Sequence, residues 1–166
     1  IFSEYMPYGA TTIFITPTAA NQTALGQAFV VSINVSDVTK LHTWQTQINY
    51  NASNIQLLNI TEGEFLKQGG RTRFFYVEDN ANGTVGPINA TLLESTRGVN
   101  KSGQLATADF RIIQPDDSEI SLSEKTKMLD SDGRIIPTSK AYSLPGLGSY
   151  LDKTGYLYGN TVLLIL

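Results

Sequence analysis

The ten residues LHTWQTQINY, positions 41–50, alternate between two kinds of side chain. Trp44, Ile48 and Tyr50 are large and share one face of an extended chain with Thr46, whereas the residues between them are polar. A period of two is typical of a β-strand that buries one face and exposes the other. The segment therefore predicts a half-buried strand with Trp44 in the core.

The same alternation continues on both sides of this segment. Residues 28–35 and 104–113 place apolar side chains at every second position. The other strand candidates are Thr12–Thr16, Ile55–Ile60, Arg73–Glu78, Thr84–Glu94, Ile120–Leu129 and Tyr156–Leu166. No segment has a convincing helical period, and glycine-containing turn signals separate the strands. About nine strands with this spacing predict an all-β, two-sheet sandwich. Its predicted core contains Phe29, Val31, Ile33, Trp44, Ile48, Tyr50, Phe110 and Ile112.

Composition limits the classes of function. At 166 residues the chain suits one domain, and a net charge of −3 with 16% charged residues offers no basic surface for nucleic acid. The longest apolar run, Val162–Leu166, is far too short to cross a membrane, so we expect no membrane insertion. The absence of cysteine excludes disulfides, thiolate metal sites and thiol nucleophiles.

Candidate catalytic and metal-binding groups are few, and each has a simpler explanation. His42 is the only histidine, and we expect it in a solvated loop or at a strand start rather than in a triad. The pair Glu62 and Glu64 has nothing else converging on it. The run Asp130–Gly133 opens like a calcium loop, but apolar residues follow, so a hairpin turn explains it better. We therefore expect no enzyme, no metal and no cofactor.

Two features point outside the cell. The chain begins at Ile1 without a Met or a signal peptide, which is typical of a processed, mature form. It also contains seven Asn-X-Ser/Thr sequons, which are glycosylation acceptors in exported proteins. The alternative is a polar, Asn- and Thr-rich β surface with coincidental sequons. We expect an extracellular, cell-surface protein with N-linked glycans at Asn21, Asn34, Asn51, Asn59, Asn82, Asn89 and Asn100.

Several short motifs, in one order, carry a family resemblance. They include Ile15-Thr-Pro17, Gly26-Gln-Ala-Phe29, the segment 41–51, Thr61-Glu-Gly-Glu-Phe-Leu66, Gly103-Gln-Leu-Ala-Thr107 and Leu129-Asp-Ser-Asp-Gly133. From about Thr12 to Ile136 the chain resembles the cohesin domain, particularly its archaeal and surface-layer members. The resemblance implies a nine-stranded jelly-roll sandwich that binds another protein, typically a dockerin, through one flat sheet face. Residues 11–166 would form this domain, with a loop insertion at 139–154 before the last strand.

The resemblance also implies which side chains contact the partner. On the third and sixth strands they are Thr43, Gln45, Gln47, Asn89, Thr91, Leu93 and Glu94. The period of two along both strands independently points the same side chains outward, except for Glu94, which rests on the resemblance alone. Two departures weaken the dockerin interpretation. Thr43 and Gln45 replace a polar Asn/Asp pair of the family, and Asn89 begins a sequon, so that a glycan could stand on this face.

Two functions of different class remain. The first is a glycosylated structural protein, a building block of a filament, thread or surface layer that contacts copies of itself or another surface protein. The second is a binding module that recognises a dockerin or, less well supported, a carbohydrate. Residues 1–10 form an N-terminal extension. We expect its apolar side chains to act as a donor strand on a neighbouring subunit, and the alternative is that the segment folds back and covers an edge of its own domain. These subunit-contact residues are Ile1, Phe2, Tyr5, Met6 and Tyr8.

The extracellular interpretation predicts that several sequons of the native protein carry glycan. Asn82 and Asn100 are the best acceptors, because turn signals place both on exposed loops. Mass spectrometry of glycopeptides should find both modified, whereas unmodified asparagine at all seven sites would contradict a surface glycoprotein.

Overall fold

The computed structural model describes residues 11–16, 19–20, 25–94, 97–116 and 118–140. These residues form ten strands and one short helix. The strands are β1 Thr12–Thr16, β2 Ala19–Ala20, β3 Ala28–Tyr50, β4 Ile55–Glu62, β5 Thr72–Asp79, β6 Thr84–Leu92, β7 Val99–Ile112, β8 Ser118–Leu122, β9 Lys127–Asp130 and β10 Ser139–Lys140, and the helix is α1 Glu64–Lys67. The fold is a nearly barrel-like jelly-roll sandwich, as predicted.

Strand β3 is 23 residues long and takes part in both sheets. Its first half pairs with β1 and with β7, which in turn pairs with β4. Its second half pairs with β6, β8 and β9, and β6 pairs with the outermost strand, β5. These pairs are antiparallel, whereas β10 lies parallel to β1. Residues 28–35 and 41–50, predicted as two strands, are therefore one continuous strand. The predicted loop insertion 139–154 begins with a short strand, β10, and the rest of it and the predicted strand Tyr156–Leu166 lie outside the described residues.

The continuous strand bends at a corner between its two halves. Asp37 and Lys40 have positive φ angles of 55° and 56°, in a region that side-chain-bearing residues rarely adopt. The Lys40 N–H donates to Asn100 Oδ1 at 2.8 Å, and the Asp37 carbonyl accepts from the Thr11 hydroxyl at 2.9 Å. Neighbouring side chains thus satisfy backbone groups that the ladder leaves unpaired at the bend.

The two sheets enclose one apolar core. Of the eight predicted core residues, seven are buried, and Phe29 is half-buried with its ring stacked 5.7 Å from that of Phe110. Trp44, Ile48 and Phe110 have no exposed surface, and the Tyr50 ring lies edge-on to Phe110. The predicted core is confirmed.

The predicted strand Ile120–Leu129 is wrong in one respect, because it is two strands, β8 and β9. Between them the Ser123 N–H donates to the Gln47 carbonyl at 2.8 Å, and the hydroxyls of Thr126 and Thr46 are 2.8 Å apart. These contacts hold the turn against β3. A helix was not predicted either, but α1 is a single turn that buries Phe65 and Leu66, too short to show a period.

Burial predicts a large cost for removing Trp44. Trp44→Ala should lower the free energy of unfolding by about 3–5 kcal/mol, because a cavity remains in a close-packed core. Trp44→Phe should cost much less, since it keeps a ring there and removes an indole N–H that has no hydrogen-bond partner among the described residues. Chemical denaturation followed by circular dichroism measures both values. A Trp44→Ala variant as stable as the parent chain would contradict this packing.

Candidate protein-binding face

The second half of β3 and strand β6 present their outward side chains on one side of the sandwich. Thr43 lies opposite Thr91 and Gln45 opposite Asn89 in the antiparallel register. Gln47 continues the row along β3. We call these five side chains the polar face. The sequence predicted all of them to point outward, and the structure brings them together.

Burial of the opposite side chains fixes the direction of the polar face. Trp44, Ile48 and Ala90 point inward and are fully buried, so their neighbours in the chain must point outward. All five residues of the face are half-buried, because adjacent strands flank them on both sides. The face is therefore a surface of the central strands rather than of a sheet edge.

Uncharged hydrogen-bonding groups fill the centre of the face. The hydroxyls of Thr43 and Thr91 are hydrogen-bonded to each other across the strands. The Gln47 amide donates to Asn49 Oδ1 at 3.1 Å, which holds its side chain along the strand. A partner can pair with such hydroxyls and amides without desolvating a charge.

The neighbouring strands extend the face on both sides. Arg73 and Phe75 of β5 lie opposite Thr91 and Asn89, and Leu129 and Lys127 of β9 lie opposite Thr43 and Gln45. The Phe75 side chain is 45% exposed. These rim residues were not predicted, because the family pattern indicates contacts on only two strands, β3 and β6. The alternation of Arg73–Glu78 was the signal that could have identified Phe75.

The two remaining predicted contact residues lie at one end of the face. Leu93 and Glu94 follow the last residue of β6. The Leu93 N–H donates to the Arg71 carbonyl at 3.0 Å, and the Arg71 guanidinium forms an ion pair with the Glu94 carboxylate. Leu93 is 51% exposed, so it adds apolar surface at this end.

Sequons lie on several sides of the sandwich. Asn89 is at the centre of the polar face, between Gln45 and Phe75. Asn34 and Asn59 are on β3 and β4 in the opposite sheet, and Asn59 is exposed. The other described acceptors, Asn51, Asn82 and Asn100, are also exposed, but Asn100 lies in strand β7 and not on the predicted loop. Asn21 lies outside the described residues, as do the predicted subunit-contact residues Ile1, Phe2, Tyr5, Met6 and Tyr8.

The groups considered for catalysis are dispersed. His42 lies within β3 and is half-buried, so the expectation of a solvated loop histidine is wrong; its Nδ1 is 3.1 Å from Thr43 Oγ1. Glu62 ends β4 and accepts a hydrogen bond from the Thr72 hydroxyl at 2.9 Å, whereas Glu64 forms an ion pair with Lys67 on α1. Among the described residues no group of three His, Asp or Glu side chains could hold a metal ion.

The run Asp130–Gly133 forms the predicted hairpin turn. The Gly133 N–H donates to the Asp130 carbonyl at 3.0 Å, and a bridge joins Leu129 to Ile135. Asp130 Oδ1 accepts from the N–H groups of Arg134 and Asp132, both at 2.9 Å. These bonds hold the pKa of the Asp130 carboxyl below its usual value, and the bond from the Arg134 N–H has the largest effect.

Comparisons with known proteins identify the family. The cohesin domain model matches residues 13–141, so the chain belongs to the cohesin family. A type II cohesin from an Acetivibrio cellulolyticus cohesin–X-dockerin complex is similar, with a TM-score of 0.67, 16% identity, and coverage of 79% of this chain and 95% of that one. A non-cellulosomal cohesin of the archaeon Archaeoglobus fulgidus has a TM-score of 0.64 and 13% identity, with coverage of 87% of this chain and 99% of that one.

The sixth cohesin of Acetivibrio cellulolyticus scaffoldin B, solved with a Cel5 dockerin, has a TM-score of 0.64 and 18% identity over 80% of this chain and 95% of that one. At these identities the structural likeness shows a common fold. No curated protein sequence matches the chain. In the described part of the chain, no helix has the length and apolar character needed to cross a membrane.

The Asp130 turn predicts a pH-dependent contribution to stability. A depressed pKa in the folded state stabilises the fold above the unfolded-state pKa of about 4, and this contribution is lost as the pH falls through the folded value. Asp130→Ala should therefore be less stable than the parent chain at pH 7, and the difference should shrink below about pH 4. Denaturant unfolding at both pH values measures it, and a constant difference would contradict the turn's dependence on the carboxylate.

Proposed function

We propose that this chain is a non-catalytic, extracellular protein-binding module that holds its partner on the polar face. Membership of the cohesin family supports this, and two of the similar structures are described as complexes with dockerin modules. The observation that carries the proposal is the arrangement of the face itself. It is a continuous sheet surface on which Thr43, Gln45 and Thr91 are accessible together.

The distribution of polar and apolar groups suits a protein partner. Protein interfaces tend to exclude charge from their centre and to be enriched in aromatic residues and arginine. Here the centre contains hydroxyls and amides, whereas Phe75, Arg73 and Lys127 stand around it. Leu93 and Glu94 complete the proposed contact set at one end. A dockerin fits this role, and another protein of the cell surface fits it equally well.

A bulky charge in the centre of the face tests the proposal. Thr91→Arg should abolish partner binding, because the new side chain stands where the partner packs. Thr107→Arg is the matched control, because Thr107 is also a half-buried threonine of an inner strand but lies opposite Ser32 in the other sheet. Both variants should give the circular dichroism spectrum of the parent chain.

The readout is quantitative mass spectrometry of proteins retained by each immobilised chain from the surface fraction of the native cells. At least one protein should be retained by the parent chain and by Thr107→Arg but lost with Thr91→Arg. Equal retention by all three chains would contradict binding on the polar face.

A second candidate is a glycosylated building block of a filament, thread or surface layer. The specific observation is Asn89, because a glycan at the centre of the polar face would obstruct flat docking there. Contacts between copies would then use sheet edges and the proposed N-terminal subunit contact, residues Ile1–Tyr8. Such a protein would carry sugar on both sheet faces, at Asn34 and Asn59 as well as Asn89.

The state of Asn89 separates the two candidates. If the polar face binds a protein, Asn89 of the native protein should carry no glycan even where Asn82 is glycosylated. Mass spectrometry of the native protein measures both sites together. A fully occupied Asn89 would contradict face binding and favour the structural building block.

A further inference from the structure

Strand β5 lies at a sheet edge and keeps a regular backbone. Among the described residues it pairs only with β6. The ladder contains one irregularity: Tyr76 and Glu78 lie opposite Ile88 and Val85. Two steps along β5 thus match three along β6, so the extra residue belongs to β6. Strand β5 itself contains no inserted residue, and its burial alternates from Thr72 to Val77, after which Glu78 and Asp79 are both exposed.

The outward row of β5 contains Arg73, Phe75, Val77 and Asp79. Phe75 is 45% and Val77 55% exposed, and both charged residues are exposed. Edge strands of monomeric proteins usually carry charged side chains, especially lysine, or a proline or bulge that discourages pairing with another strand. Strand β5 has no lysine, no proline and no bulge of its own. Its outward charges, Arg73 and Asp79, lie at the two ends of the row, and its two central outward side chains are apolar.

Main-chain groups along the free edge of β5 are in position for a further strand. The Leu93 N–H donates to the Arg71 carbonyl, so the odd-numbered residues of this ladder form the hydrogen-bonded pairs with β6. The N–H and C=O groups of Thr72, Phe74 and Tyr76 therefore point away from β6. An added antiparallel strand could satisfy them.

We infer that β5 pairs antiparallel with β5 of a second copy, about a two-fold axis at Tyr76. In this register Arg73 lies opposite Asp79 of the second copy, and Phe75 lies opposite its Val77. The symmetric pairs repeat both contacts, so the row is complementary to itself in charge and in apolar character. About six main-chain hydrogen bonds join the edges, because the even-numbered residues then face one another.

Arg73 and Asp79 are the two charged residues that this register pairs. Neither forms an ion pair among the described residues. The pKa of Asp79 lies below its usual value, chiefly because the Asn82 side chain donates to it at 2.7 Å, so the carboxylate is ionised at neutral pH. Both side chains are exposed, so an attraction between copies is weakened by salt.

This contact goes beyond both candidate functions, because it names a joint between copies that forms only where Asn59, whose side chain accepts a hydrogen bond from the Tyr76 hydroxyl at 3.3 Å, carries no sugar. It does not depend on what binds the polar face, since pairing occurs in the plane of the sheet. If the chain is monomeric, the β5 contact is wrong, but binding on the polar face is unaffected. The retention experiment described above tests that binding separately.

The oligomeric state of the full chain tests the inference. Sedimentation equilibrium should show a monomer–dimer equilibrium for the parent chain. The protein is made in a host that adds no N-glycan, because a sugar at Asn59 would crowd Tyr76. Val77→Lys should weaken the dimer by about tenfold or more, because two charges are brought into the apolar centre. Val30→Lys is the matched control, since Val30 is 51% exposed in the other sheet, and it should leave the dimer unchanged.

Cross-linking tests the register. The chain has no cysteine, so single-cysteine variants form disulfides only between copies. Opposite residues in an antiparallel pair are close enough for a disulfide. A mixture of Phe75→Cys and Val77→Cys should cross-link faster than either variant alone or than a mixture with Val30→Cys. A monomeric parent chain, an equal effect of Val30→Lys, or equal rates for all cysteine mixtures would overturn the inference.

Discussion

Strand β3 forms hydrogen-bonded ladders in both sheets, and five of the other described strands pair directly with it. Its inward side chains, from Val31 and Ile33 through Trp44 to Ile48, occupy the centre of the core. Because side chains alternate along a strand, burial of this row forces the residues between them outward. The polar face is thus a consequence of core packing, and a register shift of one residue would destroy both.

The corner at Asp37–Lys40 makes this double role feasible. Residues other than glycine pay a steric cost at positive φ, so the bend needs compensating contacts. The side chains of Thr11, Asn100 and Ser102 bond the backbone of Asp37 or Lys40, and the Lys40 carbonyl accepts from the Ser131 N–H at 3.0 Å. Asn100 uses Oδ1 for this bond. A glycan on its nitrogen would leave that acceptor in place.

The sequence predicted the parts of the fold that depend on local alternation. The core around Trp44 and the outward row of Thr43 and Gln45 are local consequences of a period of two, and the structure confirms them. The continuity of β3 and the separation of β8 from β9 depend on hydrogen bonds between residues distant in the chain, such as that from Ser123 to Gln47. No local pattern contains that information. The rim of the face was missed in part for the same reason: local alternation points Phe75 outward, but strand order decides which outward residues become its neighbours.

If the chain holds its partner on the polar face, that face is covered when the protein is in its native setting. Lys127 is exposed at the rim of that face, opposite Gln45, and Lys101 is exposed beside the corner, opposite Val38. Amine labelling followed by mass spectrometry can compare both lysines on intact cells and in the isolated protein. Lys127 should be protected on the cells, whereas Lys101 should react equally in both states. Equal labelling of Lys127 in the two states would contradict binding on the polar face.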